Sequence, residues 1–383
     1  MIYDIKPTPP ILFGYGASEQ TGVKVKELGC KKVLVVHGKV IKRTGIADKI
    51  IGSLEREGLE VIAFDKVTPD PPAAMIEEGA ALAKSEGVDA IVGLGGGSAL
   101  DAAKGINVLM GNPSPIIQYF DKSIPLKPGK VLVLIPTTAG TGSEANAISV
   151  VSDTDANVKS GVIGPPCVAS LAIVDPTFTV GLPAEITAIT GMDAFAHGVE
   201  ALTSIAANPV SDILAERVIK LVYENLPKAV QDPDDREARA NLSLAAMIAG
   251  MAFNDAPPQL GHAIAHTLGA VYHVSHGILC SIALPVVIEY IADAAPDKLK
   301  IAAGAMGVKV DGLSAAETGK VLADTVREFT KNLGLPVMKS LNIAKESLEA
   351  VAPQVLKDDC AFFIPKETDA ATVLKLLHQT YLL

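Results

Sequence analysis

Four of the chain's seven histidines, His262, His266, His273 and His276, fall within the fifteen residues from 262 to 276. His262 and His266 are four apart in an apolar stretch that reads as a helix, so they share one face. His276 follows fourteen residues after His262. Upstream, GMDAFAHGVEA at 191–201 puts Asp193 and His197 on adjacent turns of another helix. Imidazole and carboxylate on adjacent turns make half of a divalent-metal site. One carboxylate with three imidazoles suits Fe²⁺, Zn²⁺, Co²⁺, Ni²⁺ or Mn²⁺ rather than Ca²⁺. A lone histidine is more often a satisfied core residue, but this concentration favours metal binding.

A second constellation is made of small residues. The apolar run Ala90–Leu94 enters Gly95-Gly96-Gly97-Ser98, and a helical pattern starts at once. The glycines let backbone N–H groups approach a ligand, and the helix N-terminus adds positive partial charge, which together make a phosphate site. Gly93-x-Gly95-x-x-Ser98 falls just short of the dinucleotide fingerprint, and taken alone the segment also suits a tight turn capped by Ser98. The run Val131–Ile135 leads into PTTAGTGSE at 136–144, whose Thr137, Thr138 and Thr141, two glycines and a serine supply many donors. Two donor-rich turns at strand ends in one sheet point to a dinucleotide crossing its C-terminal edge.

The elements that must hold these residues divide the chain. Val33–His37, Val61–Phe64, Ala90–Leu94, Val131–Ile135 and Leu171–Val174 are continuous apolar runs that suit parallel strands buried on both faces. Gly45–Glu57, Ala73–Glu86 and Ala99–Met110 read as helices between them. The alternation predicts an α/β dinucleotide-binding domain over 1–180. Past Asp175–Pro183 only helices are predicted: Ile186–Leu202, Pro209–Val230, Asp235–Phe253, His262–Leu268, Ala315–Leu333 and Ala370–Tyr381. These form an all-helical metal- and substrate-binding domain over 181–383. A cleft between two such domains is the default place for a site.

Composition excludes several classes. Hydrophobic residues at 49% and charged residues at 20% of 383 support a large core and exclude disorder as the main state. A net charge of −10 argues against binding a nucleic-acid backbone. No apolar run reaches about 18 residues without a charge, Pro or His, and the N-terminus lacks a signal-peptide pattern. The protein is therefore expected to be cytoplasmic and unattached to a membrane. The four cysteines form no CxxC, which argues against a disulfide framework or a thiolate zinc site.

With these motifs in order, the chain resembles the iron-containing (group III) alcohol dehydrogenase family. GGGSxxDxxK at 95–104, PTTAGTGSE at 136–144, GMDAFAHGVEA at 191–201 and GHAIAHTLGAVYHVSHG at 261–277 carry the resemblance. It spans most of the chain and implies a dehydroquinate synthase-like fold, an α/β N-terminal domain with a helical C-terminal one. It implies Asp193, His197, His262 and His276 as ligands of Fe²⁺, with Zn²⁺ also compatible. It implies His266 as a proton relay beside them, Phe253 in the substrate pocket, and Gly96, Gly97, Ser98, Asp101, Thr137, Thr138 and Thr141 around the cofactor. Lys159 matches a contact on the nicotinamide side and Leu182 one on the adenosine half. A homodimer or larger homo-oligomer is expected.

Some positions depart from the family pattern. Gly38 stands where many NAD-using members carry Asp, and Lys39, Lys42 and Arg43 follow, which leaves room and charge for a 2′-phosphate and leans the chain toward NADP. Asp70, in Pro69-Asp70-Pro71, falls near the adenosine ribose and pulls the other way, toward NAD. Asn254–Gln259 replaces a glycine-rich stretch, and FFIPK at 362–366 replaces Asn-Pro-Arg. The expected activity is hydride transfer between NAD or NADP and a small primary alcohol, diol or hydroxyaldehyde, with a metal ion as Lewis acid. Competing readings are a zinc polyol dehydrogenase or a lyase on the same fold, and a metal- and nucleotide-binding protein without turnover.

Overall fold

The computed structural model describes residues 2–156 and 158–382. They divide into two compact units, one formed by Pro7–Val180, the other running from Gly181 onward and including the N-terminal residues up to Lys6. The expected division at residue 180 therefore needs one correction, at the start of the chain. The Lys6 amide donates to Asp255 Oδ1 at 2.8 Å and its Nζ to the Asn254 carbonyl at 2.9 Å, which ties that segment to the helical unit.

Among the described residues the α/β unit has eight strands: β1 (Ile11–Phe13), β2 (Lys32–Gly38), β3 (Glu60–Val67), β4 (Ala90–Gly95), β5 (Val131–Pro136), β6 (Ile148–Asp153), β7 (Val158–Ile163) and β8 (Leu171–Val174). Six form one sheet in the order β1-β8-β5-β4-β2-β3, every pairing parallel. Its strands alternate side chains between two cores, as a sheet covered on both faces must. Leu34, Val36, Ile91 and Leu134 pack with Ile76, Leu100 and Ile106 on one face, while Val33, Val35, Val92 and Ile135 pack with Val25, Ile50 and Leu54 on the other. The covering helices are α1 (Thr21–Glu27), α2 (Lys39–Arg43), α3 (Ile46–Arg56), α4 (Ala73–Ser85) and α5 (Gly97–Gly111). All five strands read from the sequence are present. The three-residue β1 and the antiparallel hairpin β6–β7 were not anticipated, because the apolar run of β1 is only three residues long and polar residues interrupt β6 and β7.

Among the described residues the other unit is helical: α6 (Ala184–Thr203), α7 (Pro209–Gln231), α8 (Arg236–Asp255), α9 (Leu260–Tyr272), α10 (His276–Ile291), α11 (Pro296–Ala305), α12 (Ala315–Asn332), α13 (Leu348–Val355) and α14 (Ala370–Gln379). Chain stops and starts follow side-chain chemistry, as where Asn208 and Ser211 form a capping box at α7. Helix α6 packs against α7, α8, α9 and α10, which makes it the central element. No described helix is long and apolar enough to cross a membrane. The very apolar α10 runs continuously through Pro285.

Candidate active site

Asp193 and His197 occupy successive turns of α6, and Glu200 follows on the same face. His262 comes from α9, and His276 is the first residue of α10. Close helix contact makes the convergence geometrically feasible. A Cβ on Gly277 would lie 2.1 Å from the Ile189 carbonyl oxygen, so only glycine lets the start of α10 press against the α6 backbone. Asp193 Oδ1 then lies 3.3 Å from His276 Nε2, 3.7 Å from His262 Nε2 and 3.7 Å from His197 Nδ1. The structure thus brings all four expected metal-site residues together.

Most of this cluster is buried, and two of its nitrogens lack partners. His197 Nδ1 and His262 Nε2 are buried without a hydrogen bond among the described residues. An orphaned imidazole nitrogen in a dry site is costly unless something absent from the protein chain takes it. The other His262 nitrogen is satisfied, because Nδ1 lies 3.0 Å from Glu200 Oε1. Glu200 Oε2 also accepts from the backbone N–H groups of Gln259 and His262, at 2.7 and 3.2 Å. This carboxylate fixes the His262 tautomer and leaves Nε2 facing Asp193, the arrangement that supports a metal-ligating histidine. Sequence reasoning missed Glu200, although its position seven residues after Asp193 was a usable signal.

The electrostatics favour a cation. Burial drives the His197 imidazole down to about 3, so it stays a neutral donor. Burial also lowers His276, but Cys280 and Asp193 reverse this and raise it to about 10. Burial raises the Asp193 carboxyl, yet His197, His262 and His276 together hold it well below its ordinary range. Asp193 and His276 are each stabilised in their charged forms by opposite charge in a place where lone charge is penalised.

Two further sequence-predicted residues border the cluster. Phe253 stacks on His197, with ring centroids 4.5 Å apart and planes at 21°. His266 stacks on His276 at 5.1 Å and 18°, and its Nδ1 meets Asp358 Oδ2 at 3.0 Å. Asp358, also missed from the sequence, is oriented by the Cys360 amide at 2.9 Å. His273 is exposed and ends α9 in a left-handed conformation, away from these contacts.

The α/β unit places Gly38, Gly96, Gly97, Ser98, Thr137, Thr138 and Thr141 at or just beyond the carboxyl ends of adjacent strands β2, β4 and β5, where open parallel sheets take ligands. Gly38 ends β2, Gly95 ends β4 beside Pro136 of β5, and the Thr137 amide donates to the Gly95 carbonyl at 2.9 Å. Gly96 precedes α5 without a side-chain cap, so in the first turn the Ala99 amide returns to the Gly96 carbonyl at 2.9 Å while the Gly97 and Ser98 amides have no side-chain cap to donate to. A Cβ on Gly97 would meet Thr141 Cγ2 at 2.6 Å, which closes the position to other residues. Ser98 Oγ receives the Asp70 amide at 3.3 Å, and Asp70 pairs with Lys159 Nζ at 2.7 Å. Asp70 and Lys159, expected at opposite ends of a cofactor, thus meet beside the glycine turn. Asp101 accepts from Ser143 Oγ at 2.7 Å, and burial pushes its carboxyl up to about 6. Leu182 belongs to the helical unit, where its carbonyl accepts from Arg239 Nη2 at 2.9 Å.

Comparison with known proteins accords with both constellations. The family model described as iron-containing alcohol dehydrogenase matches residues 8–176, and that for the C-terminal part of the Fe-containing alcohol dehydrogenase family matches 187–381. An NAD-dependent methanol dehydrogenase of Bacillus methanolicus is 35% identical over 370 residues, covering 96% of this chain and 97% of its own. A choline dehydrogenase of Bacillus subtilis (strain 168) is 34% identical, covering 93% and 90%. The crystal structure of a 1,3-propanediol oxidoreductase superposes with a TM-score of 0.95 at 33% identity, covering 99% of this chain and 100% of that one. Matched along nearly its whole length in sequence and fold, the chain belongs to the iron-containing alcohol dehydrogenase family and is an oxidoreductase acting on alcohols.

Proposed function

We propose that Asp193, His197, His262 and His276 hold one divalent ion, Fe²⁺ by family and with Zn²⁺ compatible, and that the enzyme interconverts a small primary alcohol, diol or hydroxyaldehyde with its carbonyl form. The observation that carries this is the pair of buried, partnerless imidazole nitrogens beside Asp193. The donor set suits a borderline cation. An ion held there supplies Lewis-acid polarisation of a substrate oxygen, and a bound nicotinamide supplies the hydride acceptor or donor. Methanol, choline and 1,3-propanediol, the compounds in the relatives' names, all carry a primary hydroxyl.

The chain's own residues then have distinct tasks. Glu200 keeps His262 in the ligating tautomer. Phe253 walls the site at His197 and helps to exclude water. Asp358 holds the Nδ1 proton of His266, which leaves Nε2 to take or return the hydroxyl proton. The amides of Gly96 and Gly97 with Ser98, Thr137, Thr138 and Thr141 take the cofactor diphosphate. Lys159, Asp70, Asp101 and Leu182 complete the cofactor contacts.

The enzyme uses NAD and also accepts NADP, because Gly38 offers no carboxylate against a 2′-phosphate. Lys39 and Arg43 are exposed nearby, whereas Lys42 is drawn to Asp65 at 3.3 Å. A cytoplasmic homodimer completes the reading, supported by the family resemblance and testable by light scattering.

The test is anaerobic aldehyde reduction by metal-stripped protein reloaded with Fe²⁺ or Zn²⁺, followed by nicotinamide absorbance with NADH and with NADPH. Activity returning with Fe²⁺ is expected. No turnover of short aldehydes with either metal and either cofactor would overturn the substrate and metal assignments.

A further inference from the structure

The proposed set of one carboxylate and three imidazoles leaves a buried thiol unassigned. Cys280 lies one turn after His276 on α10, so both side chains share a face, and it is fully buried. Its Sγ is 3.4 Å from His276 Nε2 and 4.0 Å from Asp193 Oδ1. The donor atoms of Asp193, His262, His276 and Cys280 all lie within 4.8 Å of one another.

We propose that Cys280 Sγ is a further ligand of the ion held by this cluster, and that it biases the centre toward Zn²⁺ and Co²⁺ over Mn²⁺. This rests on the metal reading above and extends it. Two donors about 2.1–2.3 Å from one ion lie about 3.0–4.0 Å apart at the roughly 90–120° angles of a four- or five-donor set. The separations from Asp193 Oδ1 to the imidazoles, 3.3 to 3.7 Å, and from Cys280 to His276, 3.4 Å, have that scale. A thiol–imidazole hydrogen bond would account for the last distance alone. It would leave His262 Nε2, on a residue only 1% exposed, without any partner in the same cavity. A shared ion accounts for both observations. On ligation the thiol gives its proton to solvent, and the thiolate bonds the ion with no change in oxidation state. Thiolate is the soft donor of the set and favours Zn²⁺, while carboxylate suits Mn²⁺.

The test uses metal-stripped full-length protein titrated anaerobically with Co²⁺ and followed by absorption. Visible d–d bands report binding of the ion, and a near-ultraviolet thiolate-to-cobalt charge-transfer band reports a sulfur ligand. Wild type should show both, saturating together at one equivalent. Cys280→Ser should keep the d–d bands and lose the charge-transfer band, while Cys360→Ser keeps both. In competition, Cys280→Ser should also narrow the preference for Zn²⁺ over Mn²⁺, and an unchanged ratio would overturn the selectivity claim. Wild-type d–d bands without charge transfer, or a band that survives Cys280→Ser, would overturn the ligand assignment and leave the metal reading standing. No d–d bands at all would overturn the metal reading, and this one with it.

Discussion

The helical unit assembles its chemistry from charged and heteroaromatic side chains on three helices, whereas the α/β unit assembles its own from backbone amides, glycines and small hydroxyls at strand ends. The difference shows in what each leaves unsatisfied. The first exposes two buried imidazole nitrogens, a demand that a cation meets. The second exposes the uncapped amides at the start of α5, a demand that an anion meets. It also shows in how each depends on sequence. Side-chain identity is decisive at His262, where one nitrogen meets Glu200 and the other is buried without a hydrogen bond beside Asp193. At Gly97 the requirement is the absence of a side chain, because Thr141 fills the space. Two sites that must cooperate in one reaction should therefore fail in different, separable ways.

Removing a ligand gives the largest effect. His262→Ala should lose stoichiometric metal and about 10³-fold or more in turnover, since Lewis-acid stabilisation supplies several kcal/mol. Cofactor binding, measured by NADH fluorescence, should persist. Full turnover with metal content intact would break the assignment. The next effect tests the support behind the ligand. Glu200→Gln keeps the shape but removes the charge that the His262 ring and two backbone amides rely on. Metal affinity, read by competition with a chromophoric chelator, should fall about 10–100-fold. Unchanged affinity would reduce Glu200 to a packing residue.

A change at the other site should leave the metal alone. Gly97→Ala drives a methyl to within 2.6 Å of Thr141 Cγ2. Overpacking of this kind costs about 1–3 kcal/mol of folding stability, and the turn displaced to relieve it should bind NADH about tenfold more weakly, about 1.4 kcal/mol, at unchanged metal content. Pairing it with Thr141→Ser removes the opposing methyl and should recover part of the loss. If metal content fell together with NADH affinity, the contrast between the two sites would not hold.

The parts of the molecule that could be read from sequence are those with a period or a motif. Continuous apolar runs announced five strands of the parallel sheet, the histidine concentration announced a metal site, and the family resemblance singled out Asp193, His197, His262 and His276 within it. Glu200, Cys280 and Asp358 carry no motif of their own. Glu200 reads as an ordinary helical acid until α9 is laid against it, and Asp358 lies 92 residues from the His266 it orients. The four cysteines were judged by their mutual spacing, which excludes a thiolate-only site but says nothing of a thiol one turn from a histidine. Along the chain α10 reads only as an apolar stretch, and the close approach of Gly277 to the Ile189 carbonyl is invisible there. What stayed hidden is tertiary contact, where the partner of a residue is chosen by packing rather than by distance along the chain.

The smallest effect concerns which cofactor the backbone site prefers. Gly38 closes β2 with φ −92° and ψ 167°, an extended conformation open to any residue. A Cβ there would lie 3.1 Å from the Val67 carbonyl oxygen, so the neighbouring strand must yield only a few tenths of an ångström. Gly38→Asp should therefore fold and place a carboxylate at the end of the strand, where it accepts from ribose hydroxyls and repels a 2′-phosphate. The ratio of kcat/KM for NADH to that for NADPH should rise about tenfold, equivalent to about 1.4 kcal/mol. The same variant should hold its metal and its thermal midpoint to within a few degrees, which separates a change in recognition from a change in folding. A ratio that does not move would mean that position 38 does not read the 2′ position, and that cofactor choice lies with other residues of the strand ends.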